Sequence, residues 1–302
     1  MKRTAGILAV LLVLGAAAYW QRAEIRLARL ALAGRASVCP FWEAVRAAHN
    51  SRIQNANKDR IAAAMRLMEK DPAGLERWNT PDGPYWLVTG SQWSLAWDLA
   101  EQERNIYGAG ARAVRAGDVV LDCGANVGVF TRKALRAGAR TVVAIELAPD
   151  NLECLRRNFP DEIRAGRVIV YPKGVWDRDE WLTLNVVPEN SMADSVVMHP
   201  EHSRPGPRVP LTTIDKLVAE LRLERVDFIK MDIEGAEPNA LRGARQTLGS
   251  WHPRLALSSY HRPGHPRELP ELVRQAWPGY TMQCGPCADV ETYIRPDVLY
   301  FY

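Results

Sequence analysis

The sequence predicts an α/β fold: a mostly parallel sheet covered on both faces, with an antiparallel C-terminal edge, preceded by an apolar N-terminal helix and a helical cap. Three observations carry this expectation. From Gly117 onward, short apolar runs alternate with amphipathic stretches, the pattern of strand–helix–strand units joined by right-handed crossovers. The first run, Val119-Val120-Leu121, empties into a glycine-rich turn. The last two, Tyr280–Gln283 and Val298–Tyr302, have no helix between them and so pair antiparallel.

The 302-residue chain is about two domains long. With 47% hydrophobic and 25% charged residues it can bury a large core, which excludes bulk disorder, collagen and a polytopic membrane protein. Charge is unevenly placed: residues 1–60 hold ten Lys/Arg against three Asp/Glu, whereas the rest of the chain is mildly acidic. A basic head on an acidic body points to an anionic membrane surface and away from nucleic acid. Five scattered cysteines do not make the framework of a small secreted protein, so a reducing compartment is expected. The chain divides into an anchor with a basic amphipathic helix (1–36), a helical cap that would take the substrate (37–116) and the sheet domain (117–302). Oligomeric state leaves no mark in the pattern.

Lys2 and Arg3 precede an uncharged stretch whose apolar part runs Ala5–Trp20. As a helix it is about 24 Å long, slightly short of a hydrocarbon core of about 30 Å. Ala16-Ala17-Ala18 matches a signal-peptidase pattern, so a cleavable signal peptide is one reading. A retained anchor is the other, with Tyr19 and Trp20 as interfacial aromatics. Arg22, Arg26 and Arg29 continue as one basic helical face suited to anionic headgroups, which favours the anchor. The arginines of residues 22–35 outweigh Lys2 and Arg3, which sets a single-pass, membrane-anchored chain with its body in the cytoplasm.

Residues 40–80 read as polar-leaning helix, with Ile61, Met65 and Met68 spaced for one face. Thr80-Pro81-Asp82-Gly83-Pro84 is a turn, Tyr85–Val88 a short strand and Leu95–Tyr107 a helix. Beyond Gly117, strands are expected at Val119–Leu121, Thr141–Ile145, Val168–Tyr171, Trp181–Val187, Val226–Met231 and Arg254–Ser258. Helices fall at Thr131–Arg136, Pro149–Asn158, Glu237–Leu248 and Glu268–Trp277. Cys284-Gly285-Pro286-Cys287 spells a redox tetrapeptide but lacks the helix that such thiols need, so it reads as a Gly-Pro turn between strands.

The chemistry concentrates at the strand exits. Asp122 ends the first strand and enters Cys123-Gly124-Ala125-Asn126-Val127-Gly128, and Glu146 ends the second strand. A glycine turn opening a helix presents backbone N–H groups at the carboxyl edge of the sheet, and an acid after the second strand can accept from both hydroxyls of a ribose. Asn126 and Val129 replace the second and third glycines of a dinucleotide fingerprint, which disfavours a pyrophosphate and a dehydrogenase. An acid and an Asn there suit the amino-acid end of S-adenosylmethionine.

Asp122–Gly128, Leu211-Thr212-Thr213-Ile214-Asp215 and the run Phe228-Ile229-Lys230-Met231-Asp232-Ile233-Glu234-Gly235-Ala236-Glu237 together resemble the FkbM-type methyltransferases. These are class I, Rossmann-like enzymes dependent on S-adenosylmethionine, mostly associated with O-methylation of sugars and secondary metabolites. The resemblance spans roughly residues 80–302. It extends to Leu257-Ser258-Ser259-Tyr260-His261-Arg262-Pro263, although Ser259 stands about where other members carry a Glu. It implies that Asp122, Gly124, Asn126 and Gly128 hold the methionine moiety, that Glu146 holds the ribose, and that adenine lies near Lys173-Gly174-Val175.

Asp232, Glu234 and Glu237 cluster at one strand exit, as groups that position the sulfonium, bind substrate or hold a hard metal. No His or further Asp repeats their spacing, so no metal is expected. His261 ends the next strand and is the natural base for an alcohol acceptor. Trp78, Trp86, Trp93 and Trp97, with Tyr85 and Tyr107, crowd the cap, where aromatics can stack on sugars. Trp86, Tyr107 and Glu237 are the substrate-side candidates. The expected reaction is methyl transfer to a hydroxyl of a small molecule, glycan or lipid-linked saccharide. The rivals are a carboxyl or protein methyltransferase, which needs no base, and a membrane scaffold that keeps the fold without turnover.

Overall fold

The structure, a computed structural model, describes residues 22–302. The apolar stretch Ala5–Trp20 and its orientation lie outside the described residues. Among the described residues no helix is long and apolar enough to cross a membrane.

Three helices open the described chain: α1 (Arg22–Leu32), α2 (Phe41–Val45) and α3 (Ala47–Ala64). An antiparallel meander of β1 (Arg66–Asp71), β2 (Leu75–Thr80) and β3 (Gly83–Val88) follows, then α4 (Gln92–Glu103). The cap is therefore helix and sheet, where helix alone was expected over 40–80. Ile61 and Met65 are buried as foreseen, but the helix stops at Ala64 and Met68 is exposed on β1. A three- or four-residue spacing of apolar side chains cannot show that the backbone changes from helix to edge strand between two of them. The Thr80–Pro84 turn joins β2 to β3: the Asp82 amide donates to Thr80 Oγ1 (3.0 Å), and the Tyr85 hydroxyl donates to the Asp82 carboxylate (2.7 Å).

The sheet domain runs β4 (Val119–Cys123), α5 (Val129–Arg136), β5 (Thr141–Ile145), α6 (Pro149–Asn158), α7 (Pro160–Arg164), β6 (Val168–Tyr171) and β7 (Gly174–Val175). It continues with β8 (Glu180–Val186), β9 (Arg204–Thr212), α8 (Ile214–Glu220), β10 (Phe228–Met231), α9 (Glu237–Arg242), α10 (Arg245–Trp251) and β11 (Arg254–Ser258). It closes with α11 (His265–Ala276), β12 (Met282–Cys284), β13 (Cys287–Asp289), β14 (Ile294–Pro296) and β15 (Val298–Phe301). Seven strands form the central sheet in the order β12-β15-β11-β10-β4-β5-β6. β15 pairs antiparallel with both β11 and β12, whereas the pairs from β11 to β6 are parallel.

The two C-terminal strands thus form the antiparallel edge expected of them, with β12 outermost and β15 beside it. Val298, Leu299, Tyr300 and Phe301 are all buried, so β15 takes an interior place and leaves the margin to the half-exposed β12. The single helix expected over Glu237–Leu248 is two. At Gly243, between them, a Cβ would stand 2.0 Å from the carbonyl oxygen of Trp176, so this break needs glycine. A small sheet, β7-β9-β8, packs at the β6 side; β9 contains Pro205, Gly206 and Pro210, which hid it from a strand search.

The amino-terminal helices pack on the other flank. Leu27 is fully buried, Arg26 pairs with Asp289, and Cys39 forms a disulfide with Cys287 across 248 residues of sequence. Part of the basic face expected on α1 is therefore turned to the body. The Gly-Pro turn between Cys284 and Cys287 is present, but Cys287 bonds to Cys39 and Cys284 stays free. Such a bond persists in oxidising surroundings, which counts against the reading drawn from scattered cysteines.

Beneath the site, Asp122 on β4 and Lys230 on β10 are register partners in adjacent parallel strands. Lys230 Nζ stands 3.3 Å from Asp122 Oδ1 and donates to the Gly124 carbonyl (2.7 Å), while Thr131 Oγ1 donates to Asp122 Oδ2 (2.7 Å). Both side chains are buried, so neither charge is tolerable alone.

Two stability predictions follow from this architecture. K230M strands the Asp122 carboxylate and is expected to lower the unfolding free energy by about 3–5 kcal/mol in urea titration, with much of that loss recovered in D122N/K230M. C39S/C287S is expected to cost about 2–4 kcal/mol, an effect matched by adding reductant to the wild type and absent from C284S.

Candidate active site

The parallel strands β4, β5, β10 and β11 all end on one edge, where an open sheet of this kind receives ligands. Above that edge lies a cavity of about 430 Å³. The β4–α5 turn supplies Gly124 and Asn126, the sheet rim supplies Lys230, Asp232, Glu234 and Tyr260, and the cap supplies Tyr107 and one face of α4. A narrower chamber of about 70 Å³ shares Gly124, Asn126, Asp232 and Glu234 with it and runs on to Glu146, Gly174 and Val175. Residues Ser191–Val196 form its outer wall; this segment is tied to α4 where Ser94 donates to Asn190 (2.7 Å).

Glu146 is held firmly. Its carboxylate accepts from the amides of Leu147 and Ala148 (2.8 Å each) and from that of Asn126 (2.9 Å). About four lone-pair positions exist on a carboxylate, so one acceptor position is left for a ligand. Asn126 adopts φ +48° and Glu234 φ +52°, the left-handed region that Asn tolerates and Glu does not favour. Such strain persists where surrounding structure imposes it, here in part through Ser195 Oγ donating to the Glu234 carbonyl (2.8 Å).

Asp232 is the hub of the rim. The hydroxyls of Tyr107 (2.7 Å) and Tyr260 (3.3 Å) donate to its two oxygens. Burial pushes its pKa up, but Lys230 and His261 overcome this and hold it below the usual carboxylate range. Burial likewise opposes the charge on Lys230, and Asp122 and Asp232 restore it.

The rim brings together Gly124, Asn126, Glu146, Val175, Asp232, Glu234 and Tyr107. Other sequence candidates lie elsewhere. Asp122 is buried beneath the cavity as the partner of Lys230. Gly128 caps α5 and lines neither chamber; a Cβ there would stand 2.2 Å from the Phe159 ring, so its glycine serves helix packing. Trp86 lies away from the cleft, under Arg157 (4.7 Å) and tied to Asn158 through its backbone.

His261 is not placed as a base. Its side chain is 2% exposed, with Nδ1 2.8 Å from Glu237 and Nε2 3.2 Å from Glu234 and 3.4 Å from Asp232. Neither ring nitrogen lines a chamber. Burial alone would lower the His261 pKa, but Glu237 and Glu234 hold it well above the ordinary histidine value. Glu237 is itself fully buried and out of reach of a substrate.

Sequence reasoning missed the acids of the cap. On α4, Leu95, Ala96, Leu99 and Ala100 are buried in the cap core, which turns Trp93, Trp97, Asp98 and Glu101 to the cavity. Among the described residues none donates a hydrogen bond to Asp98, whereas Trp97 Nε1 donates to Glu101 (2.8 Å). Burial and the acids of the rim push Asp98 up to about 8, against the pull of Lys230. Burial and Asp98 push Glu101 well above the carboxylate range. The available signal was a polar and aromatic helix face opposite an Ala/Leu face.

A family model described as the methyltransferase FkbM domain matches residues 122–280. No curated protein sequence matches significantly. Among solved structures, the chain is similar to methyltransferase FkbM from Methylobacillus flagellatus KT, at 20% identity and a TM-score of 0.47, over 85% of this chain and 60% of that one. This chain thus spans less than two thirds of that protein's length. It is also similar to Aeropyrum pernix fibrillarin, solved with natively bound S-adenosyl-L-methionine, at 13% identity and a TM-score of 0.39, over 78% of this chain and 97% of that one. The family match begins at Asp122, at the β4 exit, and runs through both chambers to the close of α11, more than half of the chain: this protein belongs to the FkbM methyltransferase family.

Proposed function

We propose that the protein transfers a methyl group from S-adenosylmethionine to a hydroxyl of a saccharide, free, lipid-linked or within a secondary metabolite. One observation supports this reading. A chamber lined by the amide-held Glu146 shares Gly124, Asn126, Asp232 and Glu234 with a larger one, which is also lined by Asp98, whose carboxyl accepts no hydrogen bond among the described residues, and by Trp93 and Trp97.

The residues present fit the cofactor by their chemistry. Glu146 retains an acceptor position for a ribose hydroxyl, apolar Ile145, Leu147, Val175 and Leu211 suit a purine face, and Asp194 adds an acceptor. Asp232 and Asn126, shared between the chambers, suit an amino-acid tail. When bound, the cofactor supplies a methyl group on a sulfonium whose departure leaves a neutral thioether. At about 70 Å³ the inner chamber is well below the ~300 Å³ of ordinary ligand pockets. Entry therefore moves the Ser191–Val196 wall.

Asp98 takes the proton of the acceptor hydroxyl on a carboxylate oxygen. A base with a pKa near neutrality can be ionised and still accept a proton. Burial and the neighbouring Asp98 also favour the neutral form of Glu101, so two adjacent acids do not both carry charge. Trp93 and Trp97, 61% and 39% exposed, lie one turn apart at the mouth as stacking platforms for a sugar ring. Membrane attachment through residues 1–36 would place a lipid-linked acceptor within reach. The expectation of a cytoplasmic body is opposed by the Cys39–Cys287 bond. Thiol counting in rapidly quenched cells decides it, since five free thiols place the body in the cytoplasm and three place it on the oxidising side.

The reading is tested by incubating the full chain with methyl-labelled cofactor and membrane glycolipid extract. Base-stable label on saccharide is expected; label only in base-labile esters or on protein would defeat it. D98N is expected to lower kcat by roughly 10²–10⁴-fold with a small change in KM. W93A and W97A should each raise the acceptor KM by about 3–10-fold.

The Asp98 environment sets a pH dependence. It faces Lys230, Asp232, Asp122 and Glu234 from the sheet, Glu101 from its own helix, and Lys58, Tyr107 and Tyr260 across the cavity. Because the base works ionised, kcat/KM should rise as pH climbs through about 8 in the wild type and lose that rise in D98N. The sign for stability is opposite. Folding raises the Asp98 pKa from 3.8 to about 8, so the folded chain holds a proton that the unfolded chain releases, and stability falls with pH across that window. D98N should therefore raise Tm by about 3–6 °C at alkaline pH and change it little in acid.

A further inference from the structure

Behind the rim, away from both chambers, three elements bring a second set of polar side chains together. Glu237 begins α9, His261 follows β11, and His265 begins α11. Their side chains are all 2% exposed or less. Glu237 Oε1 lies 2.8 Å from His261 Nδ1, and Glu237 Oε2 lies 3.5 Å from His265 Nδ1. Despite these approaches, Glu237 Oε2 and all four ring nitrogens are buried without an aligned hydrogen bond. Unsatisfied buried groups at this density are costly and call for a missing partner.

We propose that Glu237, His261 and His265 bind a divalent first-row transition metal, with zinc as the probe ion. Two imidazoles and one carboxylate form a donor set suited to such ions and poorly suited to Mg²⁺ or Ca²⁺. One ligand atom from each residue lies within 4.8 Å of the others. Zinc–ligand bonds of about 2.0–2.2 Å set neighbouring donors roughly 3.3–3.5 Å apart, so small side-chain rotations complete the site. The chain spacing supports it, since His261 and His265 are four residues apart across a turn into a helix, which departs from the expectation of no metal drawn from the Asp232–Glu237 spacing.

The far side of His261 gives the ion its role. With Nδ1 on the metal, Nε2–H is left facing Glu234 (3.2 Å) and Asp232 (3.4 Å), the carboxylate–histidine–metal arrangement that fixes ring orientation. Glu237 Oε1 already accepts the Ile233 amide (3.0 Å), which anchors the first ligand to the same turn. The ion is a positioning element: it holds the backing of Asp232 and Glu234 and touches neither substrate nor cofactor.

Metal content and thermal stability test this independently of methyl transfer. The full chain, purified from zinc-supplemented cells, should carry about one equivalent of zinc by plasma mass spectrometry. Chelation should lower Tm, and zinc should restore it. H265N should match the chelated wild type in Tm, lose the response to zinc and bind it at least roughly tenfold more weakly. H265C should recover zinc binding and, loaded with Co²⁺, show a thiolate-to-metal absorption band. A wild type with no bound metal and no Tm response to zinc would overturn the proposal. So would H265N with undiminished affinity, which would put the ion on the Asp232–Glu234 side of His261.

Discussion

The floor of the cleft depends on a lysine that is almost fully buried. Lys230 sits in a strand whose neighbours Phe228, Ile229 and Met231 are buried, and its ammonium is satisfied by Asp122 across the sheet and by the Gly124 carbonyl. Those contacts join β10 to the β4–α5 turn, so the turn that presents Asn126 and the strand exit that presents Asp232 are set by one charge. The pair adds little net stability compared with an apolar pair of the same shape. What it supplies is position: a bare glycine turn has many conformations, and a lysine pulling on its carbonyl selects one.

From that floor upward, the acids separate by environment. Asp232 is held below the usual carboxylate range by Lys230 and His261 and accepts from two tyrosine hydroxyls, whereas at Asp122 burial outweighs the pull of Lys230 and Thr131 and its pKa is raised. Glu146 carries three backbone amides, so its orientation is settled before a ligand arrives. Asp98 and Glu101 have no cation in contact and are pushed towards the neutral form. Residues of one chemical type thus differ in orientation and charge according to what stands within a few ångströms.

Periodicity revealed the sheet domain well because its strands are short, apolar and separated by amphipathic helices. The runs Thr141–Ile145, Val168–Tyr171 and Arg254–Ser258 form the strands expected of them. It failed where tertiary contacts override local pattern: β9 is threaded with proline, the α9–α10 break is imposed by the Trp176 carbonyl, and the meander of the cap shares its apolar spacing with a helix. The site divides in the same way. Glu146, Asn126 and Asp232 are legible because a parallel sheet sends every strand exit to one edge. That Asp122 sits beneath the cavity as the partner of Lys230 was also signalled, since a lysine in an otherwise apolar strand requires a buried partner. Asp98 was invisible because its role arises from facing residues some 130 positions away, Lys230 and Asp232.

This division bears on where specificity is encoded. Glu146, Asn126 and Asp232 come from strand exits, whose spacing is dictated by a hydrogen-bonded sheet and can vary little. The face opposite them comes from α4, a single helix whose apolar face is Leu95, Ala96, Leu99 and Ala100. Its outward positions Trp93, Trp97 and Asp98 lie on the cavity side, outside that apolar face. The strand-exit positions are thus fixed by the sheet, whereas the face opposite them depends on one helix. The α4 face, which presents Trp93, Trp97 and Asp98 to the cavity, is therefore the part of the molecule on which the proposed acceptor rests.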